Sequence, residues 1–284
     1  MITLKKVSEM KAAVSKAKTK GLTIGFVPTM GFLHEGHLSL VRGSRNSADV
    51  TVVSIFVNPL QFGPKEDLRQ YPRDPDKDSQ LLEREGVDYL FFPVEREMYP
   101  DGYKTTVEVA DLQDKLCGRS RPGHFRGVTT VVLKLFHIVQ PDLAFFGQKD
   151  AQQAAILQKM VKDLNLDAKI RILPIIRDQD GLALSSRNCY LDIKERQAAL
   201  ILIKSLREAE ALFNAGEQKA AAIISRIRET IINEPLAKID YVEIVDLGEL
   251  EPVDTLDRDA LVAVAVYIDK TRLIDNLILK AKVN

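Results

Sequence analysis

Five short runs rich in β-branched and aromatic residues, separated by stretches of helical periodicity, leave few folds open to the first two-thirds of this chain. The runs are LTIGFVPT (22–29), VTVVSIFVN (50–58), VDYLFFP (87–93), PDLAFFG (141–147) and AKIRILPII (168–176). Helical patterns lie between them: HLSLVRGSRNS, DPDKDSQLLEREG and DAQQAAILQKMVKDLN (150–165), the last with apolar residues at three- and four-residue steps. Alternation of this kind predicts an α/β fold, a parallel sheet with helices on both faces. In such sheets ligands bind beyond the carboxyl ends of the strands.

The rhythm changes after about residue 176. KERQAALILIKSLREAEALF (194–213) puts Ala198, Ile201, Leu202, Leu206, Ala209 and Phe213 on one stripe of a helix, and a second helix is expected from Lys219 to Ile232. IDYVEIVDLGELEPV and ALVAVAVYIDKTRLIDNLIL then read as strands joined by turns. Helices followed by a few strands predict a smaller C-terminal α+β domain, 177–284, after a first domain of 1–176. The boundary falls at RDQDG (177–181), whose Asp180-Gly181 is a turn signal.

Forty basic residues balance forty acidic ones, which argues against a broad nucleic-acid-binding surface but permits a small basic pocket. The N-terminal stretch mixes charges and does not resemble a signal peptide. The longest apolar run, Ala260 to Ile268, is nine residues, about half of a membrane span. Two distant cysteines, Cys117 and Cys189, predict free thiols and a cytoplasmic protein.

Two of only four histidines, His34 and His37, sit three apart just after the first strand, in VPTMGFLHEGHLSLV. Val27 is expected to end the strand, Gly31 to allow a tight turn, and a helix to start near Gly36. If helical geometry begins at His34, both imidazoles share one face, close to helix N-terminal amides that favour an anion. A metal would need a third ligand that His124, His137 and the cysteines do not supply by spacing. Packing of structural histidines in a turn is the bland alternative; the strand–turn–helix setting favours phosphate.

This is neither GxGxxG nor a P-loop; it resembles the HxGH signature of the nucleotidyltransferase-like superfamily. FVPTMGFLHEGHLSLV, SIFVNPLQFGP, YPRDPDKD, CGRSRPGHFRGV, FFGQKDAQQ and DGLALSSRN occur in the order typical of pantoate–β-alanine ligases, and IDYVEIVD with TRLIDN extends the match almost to the end. The resemblance implies a Rossmann-like first domain that binds ATP and pantoate, with the second domain closing over the site. It implies that (R)-pantoate, ATP and β-alanine are the substrates, that Mg²⁺ accompanies ATP, and that the enzyme is a homodimer. Pantoate's carboxylate would attack the α-phosphate to give pantoyl adenylate and pyrophosphate; β-alanine's amine would then displace AMP.

Site residues follow from the same blocks. His37, His34, Lys149 and Arg187 are implied as catalytic. Met30, Gly31, Gly36, Gly147, Gln148, Asp150, Ile176, Leu184, Ser185 and Ser186 join those four as ATP-binding. Gln61, Gln153 and Asn58 are implied on the substrate side, where carboxamides suit hydroxyls and a carboxylate. Leu184 stands where the family commonly has methionine, a swap that keeps volume. Arg119, Arg121, His124 and Arg126 in 117–127 read equally as an anion-attracting edge or a solvated loop. Asp74, Asp76 and Asp78 read equally as Mg²⁺ contacts or a solvated helix start, so the metal ligands stay open. Two other readings remain: a nucleotidyltransferase that keeps the nucleotide in its product, and an adenine-nucleotide sensor that binds without turnover.

Overall fold

A computed structural model describes residues 1–64 and 66–281. Its larger sheet has six parallel strands, β1 (Ile2–Leu4), β2 (Ile24–Thr29), β3 (Val50–Ile55), β4 (Tyr89–Phe91), β5 (Leu143–Gly147) and β6 (Lys169–Leu173), in spatial order β1-β4-β3-β2-β5-β6. The intervening helices are α1 (Val7–Thr19), α2 (Glu35–Arg45), α3 (Pro75–Arg84), the short α4 (Glu95–Met98) and α5 (Cys117–Ser120), α6 (His124–Val139) and α7 (Ala151–Asp163). Both faces of the central strands are covered. Phe26 and Val52 enter one apolar cluster, while Val27 and Val53 enter another on the opposite side. This explains why the strands read as continuous apolar runs instead of alternating.

The chain leaves β2 toward β3 on one side and leaves β5 toward β6 on the other, so strand order reverses between β2 and β5. A crevice opens at such a switch point, at the carboxyl ends of these two strands.

The remaining residues form α8 (Ile193–Asn214), α9 (Ala220–Ile232) and an antiparallel sheet of β7 (Ala237–Asp246), β8 (Ala260–Ile268) and β9 (Thr271–Leu279), in order β7-β8-β9. A capping box starts α8: Glu195 N–H donates to Asp192 Oδ1 at 2.8 Å and Asp192 N–H donates to Glu195 Oε2 at 2.8 Å. The expected stripe of α8 packs inward, with Leu202 and Leu206 buried. Strand β8 is buried on both faces. Val262, Val264 and Val266 join the core under α8 and α9, whereas Leu261, Ala263 and Ala265 join the core of the first sheet. The turn expected at RDQDG is present, with Gly181 at φ +95° and its N–H donating to Asp178 O at 2.9 Å.

Candidate active site

Helix α2 begins at Glu35, so His34 is its cap residue (φ −136°, ψ 175°) and His37 lies one turn in. Strand β2 also runs past the expected end at Val27, with Pro28 opposite Ser54. His34 and His37 stack with ring centroids 4.1 Å apart, and His34 N–H donates to His37 Nδ1 at 3.3 Å. That bond leaves the proton of neutral His37 on Nε2. Gly36 permits the arrangement, because a Cβ there would lie 2.9 Å from His34 Cε1.

Burial pushes His34 down to about 4, assisted by the Lys149 ammonium. Burial also pushes His37 well below the usual histidine range, helped by His34 and then Lys149. Both rings are therefore neutral hydrogen-bonding groups near pH 7, and among the described residues buried His34 Nδ1 has no partner.

The pair faces an open cleft. Of the residues implied for ATP, all but Gly31 and Gln148 line it. Segment 147–150 arrives from β5 and segment 184–187 from the loop before α8, so three separate blocks converge at the switch point. Leu184 N–H donates to Ile176 O at 3.0 Å, which closes the latter loop. Tyr71, Leu40 and Pro174 also line the cleft and were not singled out from sequence; Tyr71 lies inside the YPRDPDKD block, whose signal was family order alone.

The structure differs from expectation at several positions. Gly31 has φ +82° and serves the turn itself; it lies on the reverse side, against Asp78 and Ile55. Gln148 turns away from the cleft and donates to Asn276 Oδ1 at 3.2 Å. Arg187 lines the cleft but holds Asp67 through two bonds of 3.0 and 2.8 Å, with Tyr190 donating to the same carboxylate at 3.3 Å. Burial opposes ionisation of Asp67, yet the Arg187 contacts hold its carboxyl below the usual range.

A second cleft of about 1000 Å³ adjoins the first and shares Met30, His37 and Asp150. Gln61 and Gln153 meet there, opposite apolar side chains of α6 such as Val128, Val131 and Val132. Gln61 Nε2 donates to the Met30 thioether at 3.0 Å, a weak acceptor that leaves this donor open to competition. Asn58, expected on the substrate side, is not among the residues lining this cleft. It is 1% exposed, donates to Gln61 Oε1 (3.1 Å) and Gly127 O (3.0 Å), and accepts from Tyr99 OH (2.8 Å). With its amide thus occupied, it orients Gln61.

Segment 117–127 is not a solvated loop, because α5 and the start of α6 occupy it, and Arg121 and His124 line the edge of the second cleft. Arg121 pairs with Glu66 at 2.6 Å, and the half-buried His124 ring lies between Arg121 (3.0 Å) and Gln61 O (2.8 Å). Among the described residues no group of three or more His, Cys, Asp or Glu side chains is disposed to hold a metal. No helix among them is long and apolar enough to cross a membrane.

A crevice at a topological switch point, with convergent neutral imidazoles, a lysine and hydroxyls, defines an α/β enzyme of the nucleotide-using class. Comparison with known proteins narrows this. The model of the pantoate-beta-alanine ligase family matches residues 2–278. Pantothenate synthetase of Caldicellulosiruptor saccharolyticus is 53% identical over 99% of this chain and 100% of its own. The crystal structure of pantothenate synthetase from Thermus thermophilus superposes with a TM-score of 0.93 at 43% identity, covering 98% of this chain and 99% of the other. Pantoate-beta-alanine ligase from Francisella tularensis, complexed with beta-gamma ATP and beta-alanine, gives 0.81 at 35% identity, covering 98% of this chain and 97% of that one. The chain belongs to the pantoate–β-alanine ligase family, and it is a ligase that forms an amide bond.

Proposed function

We propose that this site joins (R)-pantoate to β-alanine in two half-reactions through a pantoyl adenylate. In the first, a pantoate carboxylate oxygen attacks the α-phosphorus of ATP, the bond to the bridging oxygen breaks, and pyrophosphate leaves. In the second, the β-alanine amine attacks the acyl carbon and AMP departs, the amine losing one proton as the amide forms. A carboxylate cannot expel oxide to an amine, whereas AMP is a competent leaving group; the enzyme's task is positioning and charge stabilisation.

The observation that carries this reading is the junction of the two clefts at His37. One cleft offers imidazoles, Lys149, Ser185, Ser186 and Arg187, groups suited to phosphate oxygens. The other offers two carboxamides beside a branched apolar wall, which suits a small acid bearing hydroxyls and methyl groups. Reaction at the α-phosphate belongs where they meet. His37 acts through its Nε2–H as a hydrogen-bond donor to developing charge, not as a cation. Mg²⁺ enters with ATP, neutralising phosphate charge when bound; Asp150 is the carboxylate lining the first cleft that can complete its shell.

Homodimerisation belongs to the same proposal and rests on the family resemblance, while a cytoplasmic location rests on the two free cysteines. The division of the chain at 176/177 is likewise proposed, on the change of sequence rhythm and the 177–181 turn. Because β8 is shared between the two cores, we assign closure over the site to the 184–190 segment instead of a rigid swing of 177–284.

The test is pyrophosphate release from purified protein given Mg-ATP and (R)-pantoate, then AMP release on adding β-alanine. A near-stoichiometric burst followed by sustained AMP and pantothenate is expected. His37→Ala should cut the burst rate by about 100-fold or more while the far-UV spectrum is unchanged. Pyrophosphate with no response to β-alanine would redirect the reading to another acceptor.

A further inference from the structure

The turn that carries the histidine pair lacks the usual means of support. The four consecutive amides Gly31, Phe32, Leu33 and His34 each donate to a side chain instead of to backbone. Gly31 N–H donates to Thr29 Oγ1 at 3.2 Å and His34 N–H to His37 Nδ1 at 3.3 Å. The two between them, Phe32 and Leu33, donate to opposite oxygens of the Asp78 carboxylate at 2.8 and 2.7 Å. Gly31 and Phe32 both lie at positive φ, +82° and +50°. For phenylalanine that conformation costs on the order of 1–2 kcal/mol. Successive amides in this geometry form a concave anion site, and here the protein's own carboxylate fills it.

Asp78 is well built for such a role. It lies in the first turns of α3, which Pro75 and the Asp74 cap fix in place; Asp74 Oδ1 accepts from Lys77 N–H at 3.1 Å. Its side chain is 2% exposed, and its Oδ2 sits where only glycine fits opposite, 2.9 Å from a Cβ built on Gly31. Both its oxygens are committed to backbone amides, which makes it a poor candidate for a metal ligand.

We propose that Asp78 is a positioning residue for phosphate chemistry, fixing the Gly31–Leu33 turn so that His34 and His37 stand at the mouth of β2. This rests on the reading of that pair as the phosphate grip. Asp78 touches no substrate and acts through the histidine pair. An isosteric Asp78→Asn change keeps one acceptor but turns an NH₂ group against the other amide, so the turn loosens without a cavity.

The decisive measurement is steady-state and burst kinetics of pyrophosphate release for Asp78→Asn, His37→Ala and the double variant. Asp78→Asn should lower kcat about 10- to 100-fold, leave KM for pantoate within about twofold, and leave the Mg²⁺ dependence unchanged. Added to His37→Ala, it should cost clearly less than it does alone, because part of its effect runs through that ring. Wild-type turnover in Asp78→Asn would overturn the inference, as would a fully multiplicative loss in the double variant or rescue by excess Mg²⁺. Should Asp78→Asn fail to fold, Asp78→Glu keeps the charge and both oxygens but displaces them by one carbon. It should show the same kcat loss; full activity in Asp78→Glu would overturn the inference. If His37→Ala itself releases pyrophosphate normally, the grip reading fails first, and that result is distinct from a failure at Asp78 alone.

Discussion

Three half-buried imidazoles tie this protein's stability to pH. Burial holds His34 and His124 down to about 4, and holds His37 well below its ordinary range. In the unfolded chain all three titrate near 6.5. Between those values the unfolded state binds up to three more protons than the native state, so stability is fully present above about pH 6.5 and is lost as pH falls toward 4. The slope should reach up to about 4 kcal/mol per pH unit at its steepest. Urea unfolding at pH 7, 6 and 5 checks this. His124→Asn, which lies away from the phosphate grip, should reduce the slope by about one proton's worth. An unchanged slope would mean that His124 is protonated in the fold, against its position between the Arg121 guanidinium and the Gln61 carbonyl.

At the scale of elements, the site depends on one contact that local sequence does not announce. Helix α6 lies against the 58–61 turn so closely that a Cβ on Gly127 would be 2.3 Å from Leu60 O. Gly127→Ala, ordinarily a gain in a helix, should instead cost about 1–3 kcal/mol. It should also raise KM for pantoate by moving Gln61, which thermal melts and pantoate titrations measure together. The alternating runs announced β2 to β6 and α2, α3 and α7 because their apolar periodicity is local. Strand β1 is three residues long with largely exposed side chains, too little for a periodic signal. Helix α6 is filled with Val128, Thr129, Thr130, Val131 and Val132, β-branched residues whose strand preference is overridden by burial. The blocks around His34, Gly147 and Ser185 were legible as motifs. The partners of Asp67 and Asp78 were not, since Arg187 is 120 positions away and Leu33 is 45 positions away.

On the scale of the whole molecule, the turn at 177–181 separates two architectures whose cores share strand β8. Beyond the shared strand β8, Asp275, 3% exposed, takes the Arg177 guanidinium at 2.6 and 3.0 Å. Asn276 donates to Gln148 O and Lys149 O, each at 2.9 Å. The last strand of the smaller unit therefore holds the backbone that presents Lys149 to the cleft. Sequence rhythm marks a change of pattern near residue 176, but it carries no information on which face of β8 meets which partner. If the cores are continuous, the chain should unfold in a single calorimetric transition. Its enthalpy should be about 200 kcal/mol near 60 °C for 284 residues, with the van't Hoff value equal to it. Asn276→Ala should shift that transition as one and raise KM for ATP, because Lys149 loses its backing. Two resolved transitions, with only the smaller one moved by Asn276→Ala, would mean that the units fold independently and that 177–284 is free to swing.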